Sequence, residues 1–303
     1  MNSLPDNSRK KFILDSLKIA GGAVLLSTPE FARTQPHNLS SGEYTVKDII
    51  DIILKQISGA PFKDTVDTLK SGSPDNKVTG IITTMFATID VIKTAVKNNV
   101  NFIIAHEPTF YNHTDDVSWV KPNDIVQQKL ELLQKNNITV WRFHDYCHAI
   151  KPDAISYGVA KKAGWLAYFK KDEIIIKIPS ISFEKLIQQL KTSLDIAHVK
   201  VIGNLTQHCE RIALLPGAAG GQTQIKTVQQ EKPDVLIVGE VNEWETAEYI
   251  RDARLLGSKT SLIILGHCVS EEPGMEWVVD WLKPLLPHVK IMHIASEDPF
   301  KWM

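Results

Sequence analysis

Four short stretches of the chain carry side chains that bind metals or move protons: "HEP" from His106, "HDYCH" from His144, "GE" at Gly239, and "GHCVSEE" from Gly266. Together they supply His106, Glu107, His144, Asp145, His148, Glu240, His267, Glu271 and Glu272. Imidazole and carboxylate are the ligands that zinc, manganese and iron share, and two ions a few ångströms apart need carboxylates to bridge them or balance their charge. A lone histidine at a strand end is ordinarily a polar residue satisfied by its neighbours. Histidines that recur at separate strand ends, each beside a carboxylate or a second histidine, point instead to a metal centre. None of these runs matches a short zinc signature such as H-E-x-x-H.

The elements that must position these residues alternate. "VTGIITTMFA" is a β-branched run, "TIDVIKTAVKNNV" an amphipathic helix starting after Thr88, and "NFIIAHEP" an apolar strand with a polar end. This strand, helix, strand unit implies neighbouring parallel strands and an α/β sheet. Upstream, "YTVKDIIDIILKQI" has helical spacing with Thr45 as N-cap, and "SGAPF" breaks it. Downstream, "PNDIVQQKLELLQKNN" reads as a helix, "ITVWRFHDYCH" as a strand with a polar end, and "DAISYGVAKKAG" as a helix ending at Gly164. After residues 165–205 the alternation resumes: strand "ERIALLPGAAGG", helix "TQIKTVQQEK", strand "DVLIVGE", helix "NEWETAEYIRDARLLG", strand "TSLIILGH", helix "GMEWVVDWLKPLL" and strand "VKIMHIA". In an open α/β sheet, functional groups gather beyond the carboxyl ends of parallel strands, which is where all four stretches fall.

The expected fold class is therefore α/β, a layered, mostly parallel sheet with helices and a smaller central α+β region. The expected divisions are an export signal over 1–32, a linker over 33–43, metal-site halves over 44–164 and 206–303, and an α+β insertion over 165–205. No internal repeat of solenoid length is present.

Composition excludes some functions. The 303 residues are 43% apolar and 23% charged, with 34 basic against 35 acidic residues and a formal net charge of -1. No basic stripe interleaves with aromatic residues, so a nucleic-acid partner is not expected. The basic cluster Arg9, Lys10 and Lys11, a mildly apolar run and small residues near Ala32 have the layout of a bacterial export signal, resembling a twin-arginine signal with lysine in place of the second arginine. A disordered start or an amphipathic helix is the alternative. On the first reading the protein is exported to the periplasm, and no later apolar run is long enough to span a bilayer.

The order of motifs resembles the Nif-three-like dinuclear-metal-centre family, some members of which are labelled GTP cyclohydrolase type 2. The likeness runs from about residue 44 to the end. It is carried by "VTGIITTMFATIDVIKTAVKNNVNFIIAHEPTFY", the glycine turn "ERIALLPGAAGG", "PDVLIVGE" and "GHCVSEEPGM". The resemblance implies a Nif-three-like fold, two divalent metal ions (zinc, manganese or iron) and a homo-oligomer. Its implied ligand set is His106, Glu107, His148, His267 and Glu271. Glu107 stands where the family has a second histidine and His148 where it has a bridging aspartate, so three histidines and two carboxylates are kept with two places exchanged. The family's histidine after "GE" is absent, and "GEVNEWE" offers Trp244 and carboxylates instead.

A two-metal centre most often clamps an attacking water and a phosphoryl or acyl oxygen, so the expected activity is hydrolysis of a small-molecule substrate, a phosphoester or cyclic amide. Glu272, Asp145 and Glu240 are the candidates for moving protons. The rival expectation is a noncatalytic metal-binding or partner-binding protein. His144 is read as holding a ligand by hydrogen bond, and His113 as a surface residue near a pocket mouth. "PGAAGGQT" suits either a phosphate cradle or a tight turn. Cys147 and Cys268 adjoin the ligand stretches and either pair or remain two small buried residues.

Overall fold

The computed structural model describes residues 43–120, 124–171, 173–301 and 303. The export signal read over 1–32, and the linker apart from residue 43, lie outside the described residues. In chain order the first half comprises α1 (Val46–Leu54), β1 (Leu69–Ser71), β2 (Ile81–Thr84), α2 (Ile89–Lys97), β3 (Phe102–Ala105), α3 (Ile125–Lys135), β4 (Thr139–Arg142), α4 (Asp145–Ala149) and α5 (Ala154–Lys162). The second comprises β5 (Ile175–Ser182), α6 (Phe183–Ser193), β6 (Lys200–Ile202), β7 (His208–Leu215), α7 (Gly221–Glu231), β8 (Val235–Val238), a π-helical turn (Glu243–Ala247), α8 (Glu248–Leu255), β9 (Ser261–Ile264), α9 (His267–Leu282) and β10 (Ile291–His293).

These strands form two five-stranded sheets, ordered β1-β4-β3-β2-β10 and β5-β7-β8-β9-β6. The central strands are parallel: β10, β2, β3 and β4 in the first sheet, and β7, β8 and β9 in the second. Antiparallel β1 closes one edge of the first sheet, and antiparallel β5 and β6 flank the second. The α/β class expected from the sequence is thus present as two mostly parallel sheets. Within residues 165–205, read as a smaller α+β region, β5 and β6 supply both antiparallel edges of the second sheet and α6 packs against β5.

Local chemistry accounts for these elements. Thr45 caps α1 reciprocally: its hydroxyl accepts the Asp48 amide at 3.1 Å, while the Asp48 carboxylate accepts the Thr45 amide at 2.8 Å. Val46, Ile49 and Ile53 on that helix are buried with Ile81, Phe102, Ile104 and Trp141 of the first sheet. Strands β2, β3, β4 and β8 are buried along their whole lengths, as expected for parallel strands covered on both faces.

Helix α9 links the two sheets. It starts at the end of β9 in the second sheet and packs on β2 and β10 of the first, burying Met275, Val278 and Leu282 in the same core as α1. Its backbone also meets α5 closely. A Cβ at Gly158 would lie 2.3 Å from the Pro273 carbonyl oxygen, and one at Gly274 would lie 2.6 Å from the Ile155 Cα. The "PGM" of the "GHCVSEEPGM" stretch therefore serves helix packing, and it fixes the first turn of α9 where the strand ends converge.

Candidate metal centre

Strand β3 delivers His106 and Glu107. Pairing with the β2 side continues past its end through His106 N–H to Thr84 O at 3.1 Å and Glu107 N–H to Met85 O at 2.9 Å. The backbone of both residues is thereby fixed before their side chains do anything. Strand β4 delivers Arg142, Phe143 and then "HDYCH", where His144 immediately precedes the one-turn helix α4 and His148 sits four residues later on the same face. Asp67 fixes that helix by accepting the backbone amides of His144 and Tyr146, each at 2.8 Å. The second sheet contributes Glu240 after β8, and His267 with Glu271, again four residues apart, in the first turn of α9.

These side chains converge. The His106 and His144 rings stack with centroids 4.9 Å apart, and His148 approaches them edge-on at 5.2 and 5.0 Å. Glu271 Oε2 lies 3.1 Å from His267 Nε2 and 3.7 Å from His106 Nε2. Glu107 Oε1 lies 3.6 Å from His267 Nε2 and 3.7 Å from His144 Nε2. Two overlapping groups, His106 with His144 and His148, and His106 with Glu107 and Glu271, each have ligand atoms within 4.8 Å of one another.

All four histidines are held in the same way. Nδ1 of His106 donates to Phe143 O at 3.1 Å; Nδ1 of His144, His148 and His267 meets Asp145 at 3.0 Å, Asp153 at 2.7 Å and Glu240 at 3.1 Å. A carbonyl oxygen only accepts, so His106 carries a proton on Nδ1 and turns Nε2 toward the cluster. That Nε2 is fully buried and has no hydrogen-bond partner. An orphaned, buried imidazole nitrogen aimed at two carboxylates is costly without a ligand. The donor set fits a divalent metal ion: neutral nitrogens oriented by acceptors on their far side, with carboxylates to balance charge.

The charges agree with this. Burial works against charge on His267 and His148, but Glu107 and Glu271 raise the first to about 10, and Asp153 raises the second to about 9. Burial works the other way on Glu271, yet His106 and His267 hold its carboxyl well below the usual range. His144 is lowered, chiefly by burial, against the pull of Asp145. In the metal-free protein, protons on imidazole therefore stand opposite carboxylates, the places a metal ion would take over.

Glu107, the departure from the family's histidine, has a dedicated partner. Arg142 is fully buried and brings NH2 to 3.4 Å from Glu107 Oε2, its Nε donates to His106 O at 3.3 Å, and NH1 reaches the His113 carbonyl and Asp115. This guanidinium engages one carboxylate oxygen and leaves Oε1 facing the imidazoles. A lone Arg in the apolar run "TVWRF" was the available sequence signal. His144, read as an indirect support, lies in the cluster itself; its spacing of four from His148 could have indicated so. His113 is exposed, with its ring 5.8 Å from His144.

The proton-moving candidates separate. Asp145 is occupied by His144, Thr65 Oγ1 at 2.8 Å and the Val66 amide at 3.3 Å, so it orients His144. Glu240 lies at the rim against His267 with its side chain 55% exposed. Glu272 lies outside the cluster. Its carboxylate receives the Met85 amide, His293 Nε2 and the amide and hydroxyl of Ser296 at 3.0 to 3.2 Å, away from the imidazoles. Cys268 Sγ also contacts Glu272 and Cys147 Sγ contacts Met275, so both thiols are free and buried apart. Gly217 of "PGAAGG" settles as a close-approach turn. Its φ is +65°, and a Cβ there would lie 2.0 Å from Glu271 Oε1.

Comparison with known proteins agrees on the fold. The family model Duf34/NIF3 (NGG1p interacting factor 3) matches residues 44–299. A Clostridium perfringens protein named "GTP cyclohydrolase 1 type 2 homolog" is 23% identical over 277 residues, covering 85% of this chain and 99% of that one. Staphylococcus aureus protein SA1388 superposes with a TM-score of 0.69 at 18% identity, covering 86% of this chain and 99% of that one. A Bacillus cereus protein related to NIF3 gives 0.68 at 14% identity with the same coverage. The family match, the two-sheet fold and the histidine and glutamate cluster at the strand ends lead to one conclusion: this chain belongs to the Duf34/NIF3 family.

Proposed function

We propose that the protein is a metal-dependent hydrolase of a small molecule, with a dinuclear centre of divalent zinc, manganese or iron. The observation that carries the reading is His106 Nε2, buried without a hydrogen-bond partner between Glu271 and the other imidazoles. His106, His144, His148 and His267 would supply nitrogen ligands, and Glu107 and Glu271 would supply oxygen. When bound, divalent ions polarise an acyl or phosphoryl oxygen and make water nucleophilic near neutral pH. Asp145, Asp153 and Glu240 hold the imidazoles in register for that chemistry. Glu240, at the rim and open to solvent, is the group placed to accept and release a proton. Arg142 holds Glu107 in place, and against its burial His267 keeps the Glu107 carboxyl below its usual range.

The test is elemental analysis of protein purified without added metal, followed by turnover assays on phosphoesters and cyclic amides with zinc, manganese or iron. About two ions per chain, and hydrolysis that a chelator abolishes, are expected. Metal without turnover would favour the noncatalytic alternative, and no metal would remove the centre. We also propose that residues 1–32 direct export. Recovery of the uncleaved chain in the cytoplasmic fraction would overturn that.

A further inference from the structure

A cavity of about 780 Å³ opens beside the candidate centre, between residues 195–200, the segments following β8 and β9, and residues 298–301. This is the size of an ordinary small-molecule site. One end of it reaches the edge of the cluster: Glu240 and His267 line the cavity, and the Phe86 ring stands edge-on to His267 with centroids 6.0 Å apart. The walls are largely apolar, formed by Phe86, Ile196, Val199, Val269 and Phe300. The residues read from the sequence as an α+β insertion thus build one wall of a site that opens onto the cluster.

The charged lining is acidic. The carboxylates Asp195, Glu240, Glu243 and Asp298 outnumber the cations in the lining, Lys200, Lys301 and His267. Lys200 is already paired with Glu243 at 2.9 Å. The "PGAAGG" turn is not part of this lining, and within it Glu271 lies against Gly217. A polyphosphate laid along this cavity would meet carboxylates wherever it left the metal ions. An aromatic or alicyclic ring would meet apolar wall.

We infer that this cavity takes a neutral or cationic, ring-bearing cyclic amide and excludes nucleoside polyphosphates. The inference rests on the hydrolase reading above and chooses between its two substrate classes. The ring body lies against Phe86, Ile196 and Phe300, and one amide carbonyl reaches the His267 end. In the hydrolysis, water oxygen bonds to the amide carbonyl carbon, the ring C–N bond breaks, and the freed nitrogen takes a proton from the water. The product is an open-chain carboxylic acid with no oxidant or reductant consumed.

The test uses the full chain, metal-loaded and metal-free, titrated calorimetrically with benzylhydantoin and with GTP, metal content being measured on each sample. Benzylhydantoin should bind at least about tenfold more tightly than GTP. Phe300→Ala, at a side chain 79% exposed and therefore safe for folding, should weaken hydantoin binding about fivefold with metal content unchanged. The exposed double change Glu243→Lys with Asp298→Lys should narrow the gap by strengthening GTP. Tighter binding of GTP than of benzylhydantoin by the unaltered protein overturns the inference, as does hydantoin binding indifferent to Phe300→Ala. Hydantoin preference in a protein that holds no metal would sustain the ligand class and overturn the two-metal reading, so the two failures are distinguishable.

Discussion

Glu271 and Glu272 are consecutive on α9, both are largely buried, and they face different worlds. Glu272 accepts hydrogen bonds from the Met85 amide, His293 and the amide and hydroxyl of Ser296, tying α9 to the ends of β2 and β10. Glu271 faces imidazoles, one of which, His106, has a buried nitrogen without a hydrogen-bond partner. A carboxylate whose bonds tie the backbone of neighbouring segments is structural; one set among imidazoles beside a buried ring nitrogen without a hydrogen-bond partner is placed for ligand chemistry. The sides of one helical turn therefore differ not in residue type but in what each carboxylate meets, backbone donors for Glu272 and the imidazole cluster for Glu271.

The largest expected effect tests the unsatisfied side. His106→Ala removes the nitrogen shared by both ligand groups, and Glu271→Gln removes the charge facing it. Each should lower metal affinity by more than the roughly 10–100-fold typical of changes behind the ligands. Unchanged metal content in both, measured by elemental analysis after dialysis, would end the assignment. Gly217→Ala comes next, because its new Cβ would occupy the place of Glu271 Oε1 in a backbone that disfavours side chains. It should shift Glu271 and weaken metal binding about tenfold or more. Metal affinity like that of the unaltered protein would mean the turn merely yields.

Asp145→Asn is a subtler break. It keeps the volume and loses the charge behind His144, so metal affinity should fall roughly 10-fold to 100-fold while the fold persists. A fall in stability with no change in affinity would instead place Asp145 with Glu272, as a carboxylate that serves the loop around Thr65.

Much of this contrast can be read without coordinates, and the reasons are local. A four-residue apolar run ending in histidine and carboxylate, as in "FIIAHE", has only one direction in a parallel sheet, so the strand ends and their convergence follow from pattern alone. His267 and Glu271 share a helix face by spacing. His144 could not be placed as surely, because α4 is oriented by Asp67, a buried residue 77 positions before it that has no motif. Arg142 was hidden for a similar reason: its partners Glu107, His113 and Asp115 come from a loop whose path sequence does not fix. The edge strands β5 and β6 could be read from the sequence only as part of an α+β region, because antiparallel edges carry a weaker burial pattern than covered parallel strands.

The smallest expected effect on metal falls on the satisfied side, where Glu272→Gln should leave metal content unchanged. The amide keeps one acceptor oxygen but presents an NH2 to donors already committed to carboxylate oxygens. Losing those bonds should cost about 1–3 kcal/mol of stability in chemical denaturation. Burial opposes ionisation of Glu272, but His293 and the Cys268 and Ser296 donors outweigh it and hold the carboxyl below its usual range. A carboxylate whose folded pKa is lowered contributes stability that is complete above its unfolded pKa and lost as pH falls through the folded one. The unaltered protein and Glu272→Gln should therefore differ most near neutral pH and converge in acid. A variant that lost metal while keeping its stability would reverse the division between the two sides of α9, making Glu272 the functional carboxylate of the pair.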